Sequence, residues 1–268
     1  WLMFDEPFTR LFNQGIVHKD KVRMSKSNDN AITVDEVSEK YGIDTARLFL
    51  MFVAGPDKDM EWDDHGIEGA SRSVSKFIRL FDNVGGQGDL LMEHKLNKTL
   101  KYMGECYETF YFNKAVIAFM EFVNYLGEKE KVPRHVLETL ALMISPVMPH
   151  LAEEMWNKLG RATLLVRESW PAVQESKINP ELEKEEMQYE KTVGDIRQVI
   201  SIVTAKGQEV SDVFLYVIPN ELSKYDSEIL TEKIGKHVKV YAVNDKDKYD
   251  PQGKASKAKP GKPAIFVE

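Results

Sequence analysis

The chain has 268 residues, of which 43% are hydrophobic, enough for one large core or two to three small ones. Its 36 basic and 43 acidic residues give a net charge of −7, which excludes nucleic-acid binding through the overall field and leaves only local basic patches. Cys106 is the only cysteine, which excludes an internal disulfide framework and a cysteine-rich zinc site and indicates a reducing, cytoplasmic compartment.

The first residues, from Trp1 to Glu6, contain no initiator methionine and lack the basic-then-apolar layout of a signal peptide. We interpret this start as a cut inside a longer protein. No apolar run approaches the roughly 20 residues that span a bilayer, so no membrane partner is expected.

The first zone, residues 1–62, mixes short apolar runs with turn residues. Short helices are predicted at 34–39 and 45–52, and Gly42 between them suits a helix C-terminal cap. We interpret this zone as the remnant of an α/β domain.

The second zone, residues 63–178, repeats apolar residues at i, i+3 and i+4, which predicts five consecutive amphipathic helices. Asp63 is a candidate N-cap of the first helix, and Gly85–Gly86 its end. The segment Ser145–His150 breaks the pattern after the fourth helix. Because the connections are short, an antiparallel bundle is expected and the whole fold should be mainly α.

The third zone, residues 179–268, begins with a long charged helix to about Lys206. A strand at 213–218, a helix at 220–234 and a strand at 237–243 follow, which predicts a small α/β domain. Most of the lysine-rich tail after them is expected to be mobile, whereas the apolar segment 263–267 could dock.

The segment Arg23–Ser27, with Asn30 behind it, carries the sharpest chemical signal. Small hydroxylated residues around a lysine make a mobile loop that can close on a polyphosphate, where Lys26 can neutralise charge on leaving pyrophosphate. The alternative is a solvated polar turn, because so short a pattern is specific only in context.

The context resembles the class I aminoacyl-tRNA synthetases, whose KMSKS signature is similar to Arg23–Ser27. The flanks Gln14–Val17 and Tyr41–Leu48 are similar to the family's own, and Ser145–Trp156 resembles the helix break in the anticodon-domain bundle of its leucine, isoleucine, valine and methionine branch. Order and spacing agree throughout.

Within that branch the leucyl enzymes are most similar. The resemblance is carried by Asp5–Phe8, Pro56–Trp62 and Gly66–Ala70, and Lys262–Glu268 is similar to the C-terminal extension of archaeal-type leucyl enzymes. The corresponding portion of an isoleucyl, valyl or methionyl enzyme is the alternative, as is a non-catalytic tRNA-binding module.

The resemblance implies that the intact enzyme joins leucine to ATP, which carries Mg²⁺, and then charges tRNA(Leu). Lys26 would be the catalytic residue of an ATP-binding loop. In this loop Ser25 and Ser27 would shape the turn or donate to phosphate, and Met24 would pack the loop against the domain. Arg23 replaces the family's first lysine and keeps the charge, although the two side chains are not interchangeable at a phosphate.

The family's second signature, His-Ile-Gly-His, is missing. The nearest string, His65–Glu68, has the wrong order and lies on the wrong side of the loop, and the leucine pocket and editing domain are also missing. The chain is therefore expected to need an N-terminal catalytic and editing portion as partner, to be inactive alone, and to bind no cofactor or metal by itself.

The resemblance also implies that the bundle supports the tRNA without reading its anticodon, while the C-terminal domain contacts the elbow or variable arm. Lysine and arginine would supply the phosphate contacts. The alternatives are a solvated helix face and a solubilising terminus. The candidate residues are Arg72, Lys76 and Arg79 in the bundle and Lys254, Lys257 and Lys259 in the tail.

Overall fold

The computed structural model describes residues 3, 5–8 and 10–268, and the chain divides into two compact units, residues 1–178 and 179–268. The expected boundary between residues 62 and 63 lies inside the first unit, and the three-domain division stays a prediction. Among the described residues, no helix combines the length and apolar character needed to cross a bilayer.

The first unit opens with a small three-stranded sheet. Strand β1 (Val17–Lys19) pairs antiparallel with β2 (Val22–Arg23) and parallel with β3 (Met60–Glu61), giving the order β2-β1-β3. Two helices, α1 (Val34–Tyr41) and α2 (Ile43–Val53), lie between β2 and β3 in the chain. The parallel pair therefore encloses both helices, as in an α/β unit.

The ends of α1 are set by local chemistry. The Thr33 hydroxyl accepts from the Glu36 amide at 3.2 Å and the Glu36 carboxylate accepts from the Thr33 amide at 3.0 Å, which forms a capping box. Gly42, at φ 84°, ends α1 and precedes α2. This confirms the predicted cap, because side chains disfavour that backbone conformation.

Five further helices form the bundle. Their common core includes Phe77, which is fully buried and contacts the rings of Phe81 and Phe119 at centroid distances of 5.1 and 5.5 Å. Burial of each such ring contributes about 1.5–3 kcal/mol, and the core continues into α2. The helices are α3 (Asp64–Leu80), α4 (Leu90–Glu108), α5 (Phe112–Gly127), α6 (Arg134–Ile144) and α7 (Pro149–Lys158).

The boundaries of α3 confirm one expectation and correct another. Asp63 is the N-cap, since its carboxylate accepts from the His65 amide at 3.0 Å. The helix ends before Gly85–Gly86, however. The chain leaves it early because the Asn83 carbonyl accepts from the Val132 amide and the Gly85 amide donates to the Val132 carbonyl, each at 2.9 Å.

The second unit is a small α/β layer structure. Strand β4 (Asp212–Val217) lies between β5 (His237–Ala242), which is parallel to it, and β6 (Ala264–Val267), which is antiparallel. Helices α8 (Pro180–Ala205) and α9 (Ser227–Ile234) complete the unit. The expected docking of the terminal apolar segment is thereby confirmed as strand β6.

The alternation of β4 separates its two faces. Val213 and Leu215 pack with Ile196 of α8, whereas Phe214 and Tyr216 pack under the segment that connects β5 to β6. Burial raises the pKa of Tyr216 to about 12, and its hydroxyl donates to a carbonyl of that connecting segment. The sheet is thus covered on both sides.

Two expectations for this unit were wrong. The helix predicted at 220–234 is a 3-10 helix, Pro219–Lys224, followed by α9, because the Asp226 carboxylate accepts from the Glu228 amide at 2.8 Å and starts a new helix. The tail is also structured. Asp250 accepts from the amides of Lys254 and Ala255 at 2.7 and 3.0 Å and holds a 3-10 helix there.

Candidate functional site

The predicted phosphate loop is a tight turn after β2. Lys26–Asn28 form a 3-10 helix whose N-cap is Ser25, and the Ser25 hydroxyl accepts from the Asn28 amide at 3.3 Å. The hydroxyls of Ser25 and Ser27 lie 3.1 Å apart. Asp29 closes the turn in the left-handed conformation at φ 52°, which asparagine and aspartate tolerate best among side chains. Ser25 therefore shapes the turn.

Two asparagines hold the base of this loop. Asn30 Oδ1 accepts from the Ser25 amide at 3.0 Å, and its Nδ2 donates to the Arg23 carbonyl at 3.3 Å. Asn28 Nδ2 donates to the same carbonyl at 3.0 Å. The sequence analysis placed Asn30 behind the motif without giving it a role, although the tendency of asparagine to bond nearby backbone was the available signal.

The Lys26 side chain is exposed, and within the described part of the chain it takes part in no ion pair. Arg23 and Ser27 are exposed beside it, and Met24 is half-buried. The Met24 amide donates to the Val17 carbonyl at 2.9 Å, which ties the loop to β1. The cation is thus presented by a short turn whose backbone is anchored on both sides.

The hairpin that carries the loop rests on the segment before β3. The Gly15 amide donates to the Pro56 carbonyl at 2.8 Å, and a Cβ on Gly15 would lie 1.9 Å from the Lys58 carbonyl oxygen. The Asp59 carboxylate accepts from the Ile16 amide at 2.8 Å. Only glycine fits so close an approach. Two segments that carry the family resemblance, Gln14–Val17 and Pro56–Trp62, therefore pack directly together.

A buried carboxylate joins α2 to the helix break of the bundle. Asp44 is 3% exposed, and its Oδ2 accepts from the Leu151 amide at 2.6 Å while Oδ1 bonds His150 Nδ1 at 2.9 Å. Asp44 thereby caps the start of α7 from a distant part of the chain. The His150 side chain is 72% exposed, so this second contact lies at the surface.

Arg47, one turn further along α2, reinforces this junction. Its Nε donates to the Val147 carbonyl at 2.8 Å and its Nη2 to the Pro146 carbonyl at 3.0 Å. Carbonyls at a helix break lack intrahelical donors, so the guanidinium satisfies them. We call these contacts of Asp44 and Arg47 the latch.

The bundle's three candidate cations are all exposed on α3. Lys76 Nζ donates to Asn124 Oδ1 at 2.7 Å, and Lys76 and Arg79 line a cavity of about 510 Å³ together with Asn124 and Lys129. Arg72 does not line it. The structure therefore brings two of the three candidates together and adds Lys129, which sequence reasoning missed.

The tail candidates lie in the second unit. Lys254 is half-buried in its 3-10 helix, whereas Lys257 and Lys259 are exposed. None of the three forms an ion pair with any described residue. Across the described ranges, no group of three or more His, Cys, Asp or Glu side chains could hold a metal ion.

Comparison with known proteins first defines the class. The model for tRNA synthetases class I (I, L, M and V) matches residues 2–63, and the model for the anticodon-binding domain of tRNA ligase matches residues 89–215. Residues 2–63 and 89–215 are thus similar to two parts of class I tRNA synthetases.

Within that class, the curated relatives are leucine–tRNA ligases. The Thermotoga maritima enzyme is 40% identical over 64% of this chain, and that of Fervidobacterium nodosum is 37% identical over 69%. The crystal structure of an Agrobacterium radiobacter LeuRS, in a ternary complex with tRNA and LeuAMS, matches 66% of the chain at 26% identity and a TM-score of 0.59. The chain is a homologue of part of leucine–tRNA ligase and spans about a quarter of those relatives' lengths.

Proposed function

We propose that this chain supplies the ATP-phosphate loop and the tRNA-docking surfaces of a leucine–tRNA ligase. The observation that carries the proposal is the exposed Lys26 on a turn anchored by Asn28 and Asn30, in a segment that matches class I synthetases. The same segment is joined by the latch to a bundle that matches an anticodon-binding domain.

In the proposed reaction, the leucine carboxylate attacks the α-phosphorus of ATP and the bond to the bridging oxygen of pyrophosphate breaks. Negative charge grows on the departing phosphates, and the Lys26 ammonium is positioned to neutralise it. Exposed Arg23 adds a second cation, and the Ser27 hydroxyl is a further donor at the turn. Leucyl-adenylate would then transfer leucine to the 3′ end of tRNA(Leu).

The described residues fit Mg²⁺ that arrives on the nucleotide. They form no protein cage of metal-ligating side chains, and Mg²⁺ commonly binds through substrate phosphates with few protein ligands. Bound in that way, the ion would screen the triphosphate. Lys26 would act on the same charge from the protein side.

The 268 residues contain no His-Ile-Gly-His string, so we infer that the chain acts with a catalytic and editing portion of the enzyme. We expect pyrophosphate exchange from the chain only after it is combined with that portion of a relative, and only with leucine among leucine, isoleucine, valine and methionine. Exchange dependent on one of the other three would favour the corresponding synthetase. Exchange by the isolated chain would contradict the inferred partner.

We also infer that lysine and arginine side chains of both units contact tRNA phosphates. The exposed candidates Arg72, Lys76 and Arg79 support this for the bundle, and Lys257 and Lys259 for the second unit. Because net charge is −7, binding should depend on these local patches.

Binding of tRNA(Leu) by the chain should therefore weaken steeply with salt, since each neutralised phosphate steepens the negative slope of log K against log salt by roughly 0.7–0.9. The double variant Lys76→Ala/Arg79→Ala should reduce that slope by roughly 1.5 in filter binding. The variant Lys40→Ala, an exposed lysine of α1, is the matched control. A slope that is already flat in the wild-type chain would contradict the docking role.

A further inference from the structure

The second unit contains a two-residue hairpin, of which only Lys259 was among the predicted tRNA-contacting residues. The Lys259 amide donates to the Lys262 carbonyl at 3.0 Å, and the Lys262 amide donates back to the Lys259 carbonyl at 2.9 Å. Pro260 and Gly261 form the tip, with Gly261 at φ 70°. We call this segment, Lys259–Lys262, the lysine turn.

Residues directly opposite each other in an antiparallel pair carry their side chains on the same side. The pair Lys259 and Lys262 is of this kind, and both side chains are exposed. Like charges in this arrangement destabilise the pair, and neither lysine forms an ion pair with a described residue. The arrangement therefore favours an external anion that can be shared by two ammonium groups.

The tip of the lysine turn is held from beneath by a buried acid. Glu221, in the 3-10 helix after β4, is 8% exposed, and its Oε1 accepts from the Gly261 amide at 2.9 Å. Gln188 of α8 donates to the same oxygen at 3.4 Å. The other carboxylate oxygen is buried and has no hydrogen-bond partner in the described chain.

A buried carboxylate oxygen without a hydrogen bond destabilises the folded chain unless another contact of the same side chain compensates. Glu221 makes its short hydrogen bond to the backbone of the turn. It therefore fixes the backbone from which Lys259 and Lys262 project without neutralising either of them. Such prior ordering lowers the entropy lost when flexible side chains bind a ligand.

We propose that Glu221 is a positioning residue that holds the lysine turn as a contact for a phosphodiester of an RNA backbone. The proposal rests on the proposed tRNA-docking function and adds Lys262 and Glu221 to it. Lysine suits this task as a compact cation that needs no fixed fork geometry at phosphate.

The test measures tRNA(Leu) affinity and its salt dependence for the full 268-residue chain. The variant Lys259→Ser/Lys262→Ser should reduce the slope of log K against log salt by roughly 1.5. Glu221→Ala should weaken binding about threefold to tenfold at one salt concentration while the slope is nearly kept, because the charges remain but lose their fixed position. Glu221→Gln should restore affinity, since its amide oxygen can still accept from Gly261.

A glycine pair separates positioning from general damage. Gly261→Ala and Gly235→Ala place alanine at nearly the same backbone angle, φ 70° and 71°, and only Gly261 lies in the lysine turn. Both should lower the unfolding temperature to a similar extent. Only Gly261→Ala should weaken tRNA binding.

The double-variant comparison and the wild-type binding together decide between these roles. A smaller cost of the lysine substitutions in the Glu221→Ala background than in the wild type would support positioning. Glu221→Ala that unfolds earlier but binds tRNA like the wild type, or costs that simply add, would overturn it while leaving tRNA docking intact. If the wild-type chain binds no tRNA, both the docking function and this proposal fail.

Discussion

Replacing Lys26 with alanine in the enzyme assembled from this chain and its catalytic portion should slow leucine-dependent pyrophosphate exchange by about 100- to 1,000-fold. This corresponds to about 2.7–4 kcal/mol of transition-state stabilisation, as for one preorganised electrostatic donor. The reason is geometric: the side chain is exposed on a turn whose backbone is fixed by Asn28 and Asn30, so its charge can meet the departing pyrophosphate.

Two controls define this prediction. Lys40→Ala removes another exposed lysine, in α1, and should change the exchange rate by less than threefold. Transfer of leucine from supplied leucyl-adenylate to tRNA(Leu) should persist in Lys26→Ala, because pyrophosphate has already departed before that step. Exchange at the wild-type rate in Lys26→Ala would exclude the assigned role.

Replacing Asp44 with alanine should lower the free energy of unfolding of the first unit by about 3 kcal/mol. The change removes the cap of α7, in which the Leu151 amide donates to the Asp44 carboxylate, a hydrogen bond to a charged group worth about 1.5–3 kcal/mol. It also leaves space at a site that is 3% exposed. The contribution of His150 should be small, because its side chain is 72% exposed.

Urea unfolding followed by helix content measures this loss, and Asp35→Ala is the matched control. Asp35 lies exposed in the first turn of α1, so its loss should cost about 0.3–1 kcal/mol. Equal stabilities of the two variants would show that Asp44 does not fasten the bundle to α2.

Local rules predicted most of the architecture. Helical spacing indicated the bundle, Asp63 its first cap and Gly42 the end of α1, because each depends on residues within a few positions of one another. The class of enzyme also followed from segments of the sequence that resemble class I synthetases, and comparison with known proteins confirmed it.

Long-range contacts explain what was missed. Asp44 caps α7, which begins more than a hundred residues further along the chain, and no local sequence pattern indicates such a partner. The tail seemed mobile because it is rich in lysine, glycine and proline, yet Asp250 and Glu221 hold its backbone amides. The break before α9 depends on Asp226 competing as a new cap, which a continuous apolar pattern conceals.

Charging of tRNA(Leu) tests most directly whether this chain completes a leucine–tRNA ligase. The catalytic and editing portion of a relative should be incubated with ATP, leucine and tRNA(Leu), with and without this chain. Leucyl-tRNA should form only when the chain is present. Equal charging without it, or no charging in a mixture whose two parts have assembled, would contradict the account.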